Sequence, residues 1–222
     1  MLIAEELLLL ALDPVEGSTV NSSRQPLTIS LSGALIAELG LADGVVVDGK
    51  RFRPAGRPPA DPLLAAAHRA IGEVKGRRAA DQLRGLDKAL GGVWTAVTDR
   101  LTEEKIIGRE RRRILLFPVT RHPVLRADLR DDVLRRAREA ARGSGPLDPR
   151  TAALLALAGP SRLLEVVAPD RAHRRHAKER IATATNVTPV APVVTRVLQE
   201  AQAATTAAIG ASVAATAAIG SS

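Results

Sequence analysis

Cysteine is absent from the 222 residues, which excludes disulfides, thiolate nucleophiles and Cys-ligated zinc or iron–sulfur centres. The expected setting is a reducing cytoplasm. Aromatic residues are nearly absent too: Phe52, Phe117 and Trp94 are the only ones. With 45% apolar residues there is material for a full core, but it must be aliphatic, and the length favours one domain. No apolar run is long enough to span a bilayer. The opening MLIAEELLLLALDP stops at Asp13-Pro14 and carries Glu5 and Glu6 without a basic start, so it reads as an amphipathic or buried first helix and not as a signal peptide.

Catalytic motifs are missing as well. GxSxG, HExxH, GxxxxGK[ST] and GxGxxG do not occur, and most carboxylates stand beside arginines in runs such as RADLRDD, which solvated ion pairs explain. Of the four histidines, only His173 and His176 lie at helical spacing, and their surroundings, RAHRRHAKER, would repel a metal ion. The expectation is a binding protein that is not an enzyme, with no metal and no cofactor.

Positive charge is in excess, and it is clustered. The formal net charge is +8, yet the first 23 residues hold no Lys or Arg. Four basic groups follow: Lys50/Arg51/Arg53/Arg57, Arg109/Arg111/Arg112/Arg113, Arg135/Arg136/Arg138, and Arg171/Arg174/Arg175/Lys178/Arg180. Together they point to an anionic partner, and each cation near an anionic membrane contributes about 1 kcal/mol.

Element patterns give a mainly helical chain with small hairpins. Leu31, Leu35, Ile36 and Leu39 place a helix over 31–41, and Asp48-Gly49 marks a hairpin after it. Asp61-Pro62 and Asp148-Pro149 are N-cap and first-turn pairs, the second opening TAALLALAG, apolar enough to be central. A helix over about 78–90 is expected, then one with Val93, Val97 and Leu101 on one face. Beyond it, Ile106-Ile107 and Ile114–Phe117 read as two strands around a charged turn at 108–113, a second helix-plus-hairpin unit. Leu125, Leu129, Val133 and Ala137 form the stripe of the following helix, with Gly143 just past its end. The domain is placed at 1–200, and the uncharged Ala/Thr-rich residues 201–222 are read as a helix and tail.

A helix followed by an Arg-tipped hairpin also describes a winged-helix nucleic-acid binder, with GRERRR as its wing. Its recognition helix would have Thr95, Thr98, Asp99 and Arg100 for base contacts. This is the alternative to a lipid partner.

The succession EELLLLALDPVEG, SGALIAELGL, KIIGRERRRILLFPVTRHPV and DPRTAALLALAG with LLEVVAP resembles the Golgi phosphoprotein 3 family over nearly the whole chain. Leu115 to Pro123 is its most telling segment. The resemblance implies a mainly helical single domain attached peripherally to membranes, with a self-associating hairpin at Ile106, Ile107, Ile114, Leu115, Leu116 and Phe117. It also implies phosphatidylinositol 4-phosphate binding and protein clients in eukaryotic members; without their acidic extension, this chain looks like a bacterial member. The family's headgroup pocket maps onto altered positions. Its loop Trp falls in STVNSSR, its helical Arg corresponds to Ser32, and its paired Arg residues fall near Gly91 and Trp94. Arg24 and Lys88 lie close by in sequence, so Arg24, Ser32, Lys88 and Trp94 are the candidate lipid-binding residues.

Overall fold

The computed structural model describes residues 1–19, 24–75, 78–114, 117–187 and 196. A run of leucines in a helix has no outward face, and α1 (Ile3–Ala11) accordingly lies in the centre with all nine residues buried. Leu7, Leu8, Leu9 and Leu10 are fully enclosed, each contributing roughly 2 kcal/mol of burial. Around α1 pack α2 (Arg24–Leu41), α5 (Val93–Glu103), α6 (Ala127–Arg142) and α7 (Pro149–Ala158). The expected central helix is α7, whose Ala152–Ala158 are all buried.

Burying α1 also buries Glu5 and Glu6. The Glu5 carboxylate accepts the Leu2 N–H (2.6 Å), half of a capping box, and lies 2.6 Å from Arg100 Nε. Arg100 also meets Asp61 at 2.5 Å, tying α5 to the N-cap of α3 (Pro62–Glu73). On the other flank Glu6 meets Arg136 of α6 (3.1 Å) and Arg150 of α7 (3.7 Å), and Arg150 also pairs with Glu38 of α2. Burial pushes the Glu5 carboxyl above the usual range, against the opposing pull of the Leu2 N–H and Arg100.

α2 starts earlier than the apolar period suggests, because Pro26 is tolerated in a first turn. α1 packs on α2, the Ile3 N–H donating to Glu38 near the far end of α2 (2.8 Å), and Leu12 bridges Thr19 within the loop that follows α1. After α2 comes the first hairpin, β1 (Val45–Asp48) against β2 (Arg51–Pro54), turning on Gly49-Lys50, one residue later than expected. Gly49 has φ 58°, which suits glycine at the first central position of a tight turn. Val45, Val47 and Phe52 share the inner face, and buried Gln82 of α4 (Ala79–Ala89) clasps the Phe52 backbone through both amide atoms (2.7 and 2.9 Å).

The second hairpin corrects the expected arrangement. Its strands are β3 (Glu110–Ile114) and β4 (Phe117–Arg121), so the charged segment is a strand and the apolar run straddles the turn. Ile106 and Ile107 precede its strands; both are buried in the core, where the chain leaves α5 through Lys105 at φ 57°, and Ile107 makes an isolated antiparallel bridge with Val124. The register is set at the base, where the Gly108 N–H donates to Pro123 (2.7 Å) and the Leu125 N–H to Ile106 (2.9 Å). Leu125 itself is 58% exposed and precedes α6, whose buried stripe is Val133, Leu134, Ala137 and Ala141. A short α8 (Leu164–Val167) and α9 (Arg171–Val187) cover α6 and α7. Residues 201–222 lie outside the described residues.

Replacing Arg100 with Ala leaves a buried carboxylate without its counter-ion, so urea denaturation at pH 7 should give a loss of about 3 kcal/mol. The deficit should shrink as pH falls towards about 4.3, the ordinary Glu value, because protonated Glu5 needs no counter-ion. An unchanged midpoint across that range excludes the clamp.

Candidate anion-binding surface

The four basic clusters differ in how much of their charge is already neutralised. On α6, Arg135 pairs with Asp132 (2.5 Å) and Glu139 (3.1 Å), Arg136 with Asp132 and Glu6, and Arg138 reaches the Val166 carbonyl (3.4 Å). On α9, Arg175 pairs with Glu179, and Arg174 and Arg180 hold backbone carbonyls. These arginines already have partners within the protein.

The second hairpin is different. Between positions 109 and 121 it carries five arginines and one glutamate. Strand alternation puts Glu110, Arg112, Val119 and Arg121 on one face and Arg111, Arg113, Pro118 and Thr120 on the other. Arg112 is neutralised by Glu110 (2.9 Å) and approached by Glu16 (3.6 Å), and Arg109 pairs with Asp99. Among the described residues, Arg111, Arg113 and Arg121 have no carboxylate partner, and Arg111 and Arg113 are exposed. Neither strand packs substantially on a helix, so the hairpin projects from the body. The paired ends Ile114 and Phe117 belong to its apolar tip; Leu115 and Leu116, and the side chains of Ile114 and Phe117, lie outside the described residues.

The base of the hairpin is clamped to the loop between α1 and α2. The His122 N–H donates to Gly17 (2.9 Å) and the Val124 N–H to Pro14 (3.2 Å). The His122 ring, buried, places Nδ1 3.2 Å from the Gly108 carbonyl and meets the Trp94 ring edge-on with centroids 6.3 Å apart. Gly17 stands at φ 60° with its α-carbon against His122 and Pro123. Nothing in local pattern signals Gly17, His122, Glu16 or Asp99 as parts of this junction, because each acts on a segment distant in sequence.

Of the expected headgroup residues, Ser32 does not reach the surface. Ser32 is fully buried within α2 with its hydroxyl unpartnered, so it offers nothing to a headgroup. Arg24 opens α2, but its side chain lies outside the described residues. Lys88 is exposed at the end of α4, and half-buried Trp94 occupies the first turn of α5, across the Gly91-Gly92 turn from it. Asp87 caps that helix start by accepting the Val93 N–H (2.7 Å). The residues a winged-helix reader would need are mostly spent internally: Thr98 is buried and donates to Trp94, Asp99 holds Arg109, and Arg100 holds Glu5. No group of three potential metal ligands occurs among the described residues, and no helix there is long and apolar enough to cross a membrane.

A central buried helix ringed by helices, with two antiparallel hairpins at its periphery, defines a mainly helical domain of the kind the sequence resembles. The chain belongs to the Golgi phosphoprotein 3 (GPP34) family, whose family model matches residues 3–201. A search of curated proteins finds no significant match.

A Cβ at Gly17 would come within 2.4 Å of the His122 carbonyl carbon, on a backbone that L side chains rarely adopt. Gly17→Ala should therefore cost about 1–3 kcal/mol, and amide exchange should rise first at His122 and Val124, where the clamp bonds are lost. Exchange that rises evenly through the chain contradicts a local clamp.

Proposed function

We propose that this protein is a non-enzymatic peripheral membrane protein that binds anionic phospholipid headgroups through its β3–β4 hairpin. The observation that carries this reading is the pair of exposed, unneutralised arginines, Arg111 and Arg113, on one face of a strand beside an apolar tip. Alternate residues on a strand lie about 7 Å apart, a separation that allows two guanidinium groups to meet neighbouring phosphates of a lipid surface. The family match supports a membrane role, while buried Ser32 and the Trp-free loop argue for recognition by charge with no strong preference for phosphatidylinositol 4-phosphate. The apolar run Ile114–Phe117 is assigned to self-association, which multiplies the charge presented to one membrane; protein clients would be adaptor partners of the assembled form.

In vesicle co-sedimentation the protein should bind phosphatidylcholine vesicles containing phosphatidylserine and not pure phosphatidylcholine. Substituting Arg111→Ser and Arg113→Ser together should weaken binding about 30-fold, from about 1 kcal/mol per cation. Vesicles with phosphatidylinositol 4-phosphate at matched charge should gain less than tenfold. Equal binding to neutral and anionic vesicles sinks the electrostatic reading, and a gel shift of DNA at physiological salt without vesicle binding favours the nucleic-acid one.

Leu115→Ser with Phe117→Ser should lower the mass measured by light scattering and weaken vesicle binding together. If the doubly substituted protein keeps both mass and vesicle binding, the tip has no role in assembly.

A further inference from the structure

A cavity of about 550 Å³ opens between the loop that joins α6 to α7 and residues 176–184 of α9. One wall is helical: His176, Glu179, Arg180, Thr183 and Ala184 recur at the spacing that places side chains on one face of a helix. The other wall is the loop over 144–147. Its Leu147 is half-buried against the core and Pro146 adds a second apolar group. Gly145 leaves space there, since a Cβ built on it would meet no atom within 4 Å.

Arg180 gives this space its chemistry. Its Nε donates to the Ala140 carbonyl (2.8 Å) and its Nη2 to the Gly145 carbonyl (2.8 Å), which fixes the guanidinium across the junction of the two walls. Backbone carbonyls orient the group without cancelling its charge, and among the described residues Arg180 has no carboxylate partner. The acids around the cavity are engaged with other groups. Glu179 pairs with Arg175 (3.1 Å), Glu139 with Arg135 (3.1 Å), and Asp148 accepts the Arg150 and Thr151 N–H groups at the start of α7 (3.1 and 3.0 Å). His176, one turn before Arg180, has Nε2 3.1 Å from the Gly143 carbonyl.

Small-molecule sites are concave, occupy roughly 300–1,000 Å³ and combine apolar walls with a few placed polar groups, and this cavity has each of those features. The side of the guanidinium that carries Nε is committed, but donors remain on both terminal nitrogens, the edge that meets a planar carboxylate through two parallel hydrogen bonds. One oriented, uncancelled cation beside apolar surface matches one negative charge joined to a hydrocarbon. We propose that the cavity between the α6–α7 loop and α9 binds a small amphipathic carboxylate, with its anionic group on Arg180 and its apolar part on Pro146, Leu147 and Ala184. This site shares no residue with β3–β4, so it stands or falls separately from the lipid-surface reading.

The test titrates octanoate into the isotopically labelled full chain and follows amide shifts by NMR, with octylammonium as the probe of equal chain length and opposite charge. Octanoate should give saturable shifts concentrated at Gly145, Leu147 and Ala184, and octylammonium should not. Arg180→Gln should weaken octanoate binding about tenfold, the loss expected for a charge-assisted hydrogen bond. Gly145→Phe should abolish the localised shifts, because it fills the open space at a backbone position whose φ is not positive and keeps Arg180. Circular dichroism compares the fold of both variants with wild type. Absence of saturable shifts in the wild-type protein overturns the proposal, as do octanoate shifts scattered over the basic clusters or equal shifts of these residues by octylammonium. A folded Gly145→Phe protein that binds octanoate like wild type also overturns it. The comparison of the two probes on wild-type protein needs no substitution and decides the matter where a variant fails to fold.

Discussion

Two carboxylates in the first turn of a fully buried apolar helix set the terms for the whole molecule. α1 is enclosed on all sides, yet Glu5 and Glu6 cannot be enclosed as free charges, because an unpaired buried ion costs far more than the fold can spare. Their counter-ions have to come from elements far along the chain: Arg100 on α5, Arg136 on α6 and Arg150 on α7. Each arginine is shared with another carboxylate, Asp61 or Glu104 for Arg100, Asp132 for Arg136 and Glu38 for Arg150. The core leucines provide the driving force, but they fit many arrangements of helices; the charge pairs select which helix stands beside which.

The pairing divides the arginines into two groups. On α6 and α9 several are committed to carboxylates or backbone carbonyls, and three of them join separate elements: Arg136 to Glu6, Arg138 to the Val166 carbonyl and Arg180 to the Ala140 carbonyl. On the second hairpin, Arg111, Arg113 and Arg121 have no carboxylate partner among the described residues. A two-stranded hairpin at the edge of a helical body has little apolar area to bury, so polar and charged residues there carry little stability and remain available for an external partner. The clamp of Gly17 against His122 lets a projecting hairpin keep its orientation without a core of its own.

The sequence by itself determined a good deal. Apolar content marked α7 as central and left α1 as amphipathic or buried, Asp-Pro pairs located the starts of α3 and α7, and Asp48-Gly49 located the first turn to within one residue. These signals are local: a cap, a turn or a helical stripe is decided by neighbours within one or two turns of chain. The order of apolar segments also carried the family, since it reflects the order of buried elements.

Tertiary structure alone decided the rest. Ile106 and Ile107 look like a strand in isolation but are drawn into the core by the end of α5, which shifts the hairpin onward and leaves Ile114 and Phe117 as the last pair of its ladder, on different strands. Ser32 aligned with a headgroup contact, yet the packing of α2 buries it. Which arginines are free could not be read from their clustering, because neutralisation depends on carboxylates as distant as Glu6 from Arg136. Charge composition is a property of the chain, whereas available charge depends on which partners the fold brings within a few ångströms.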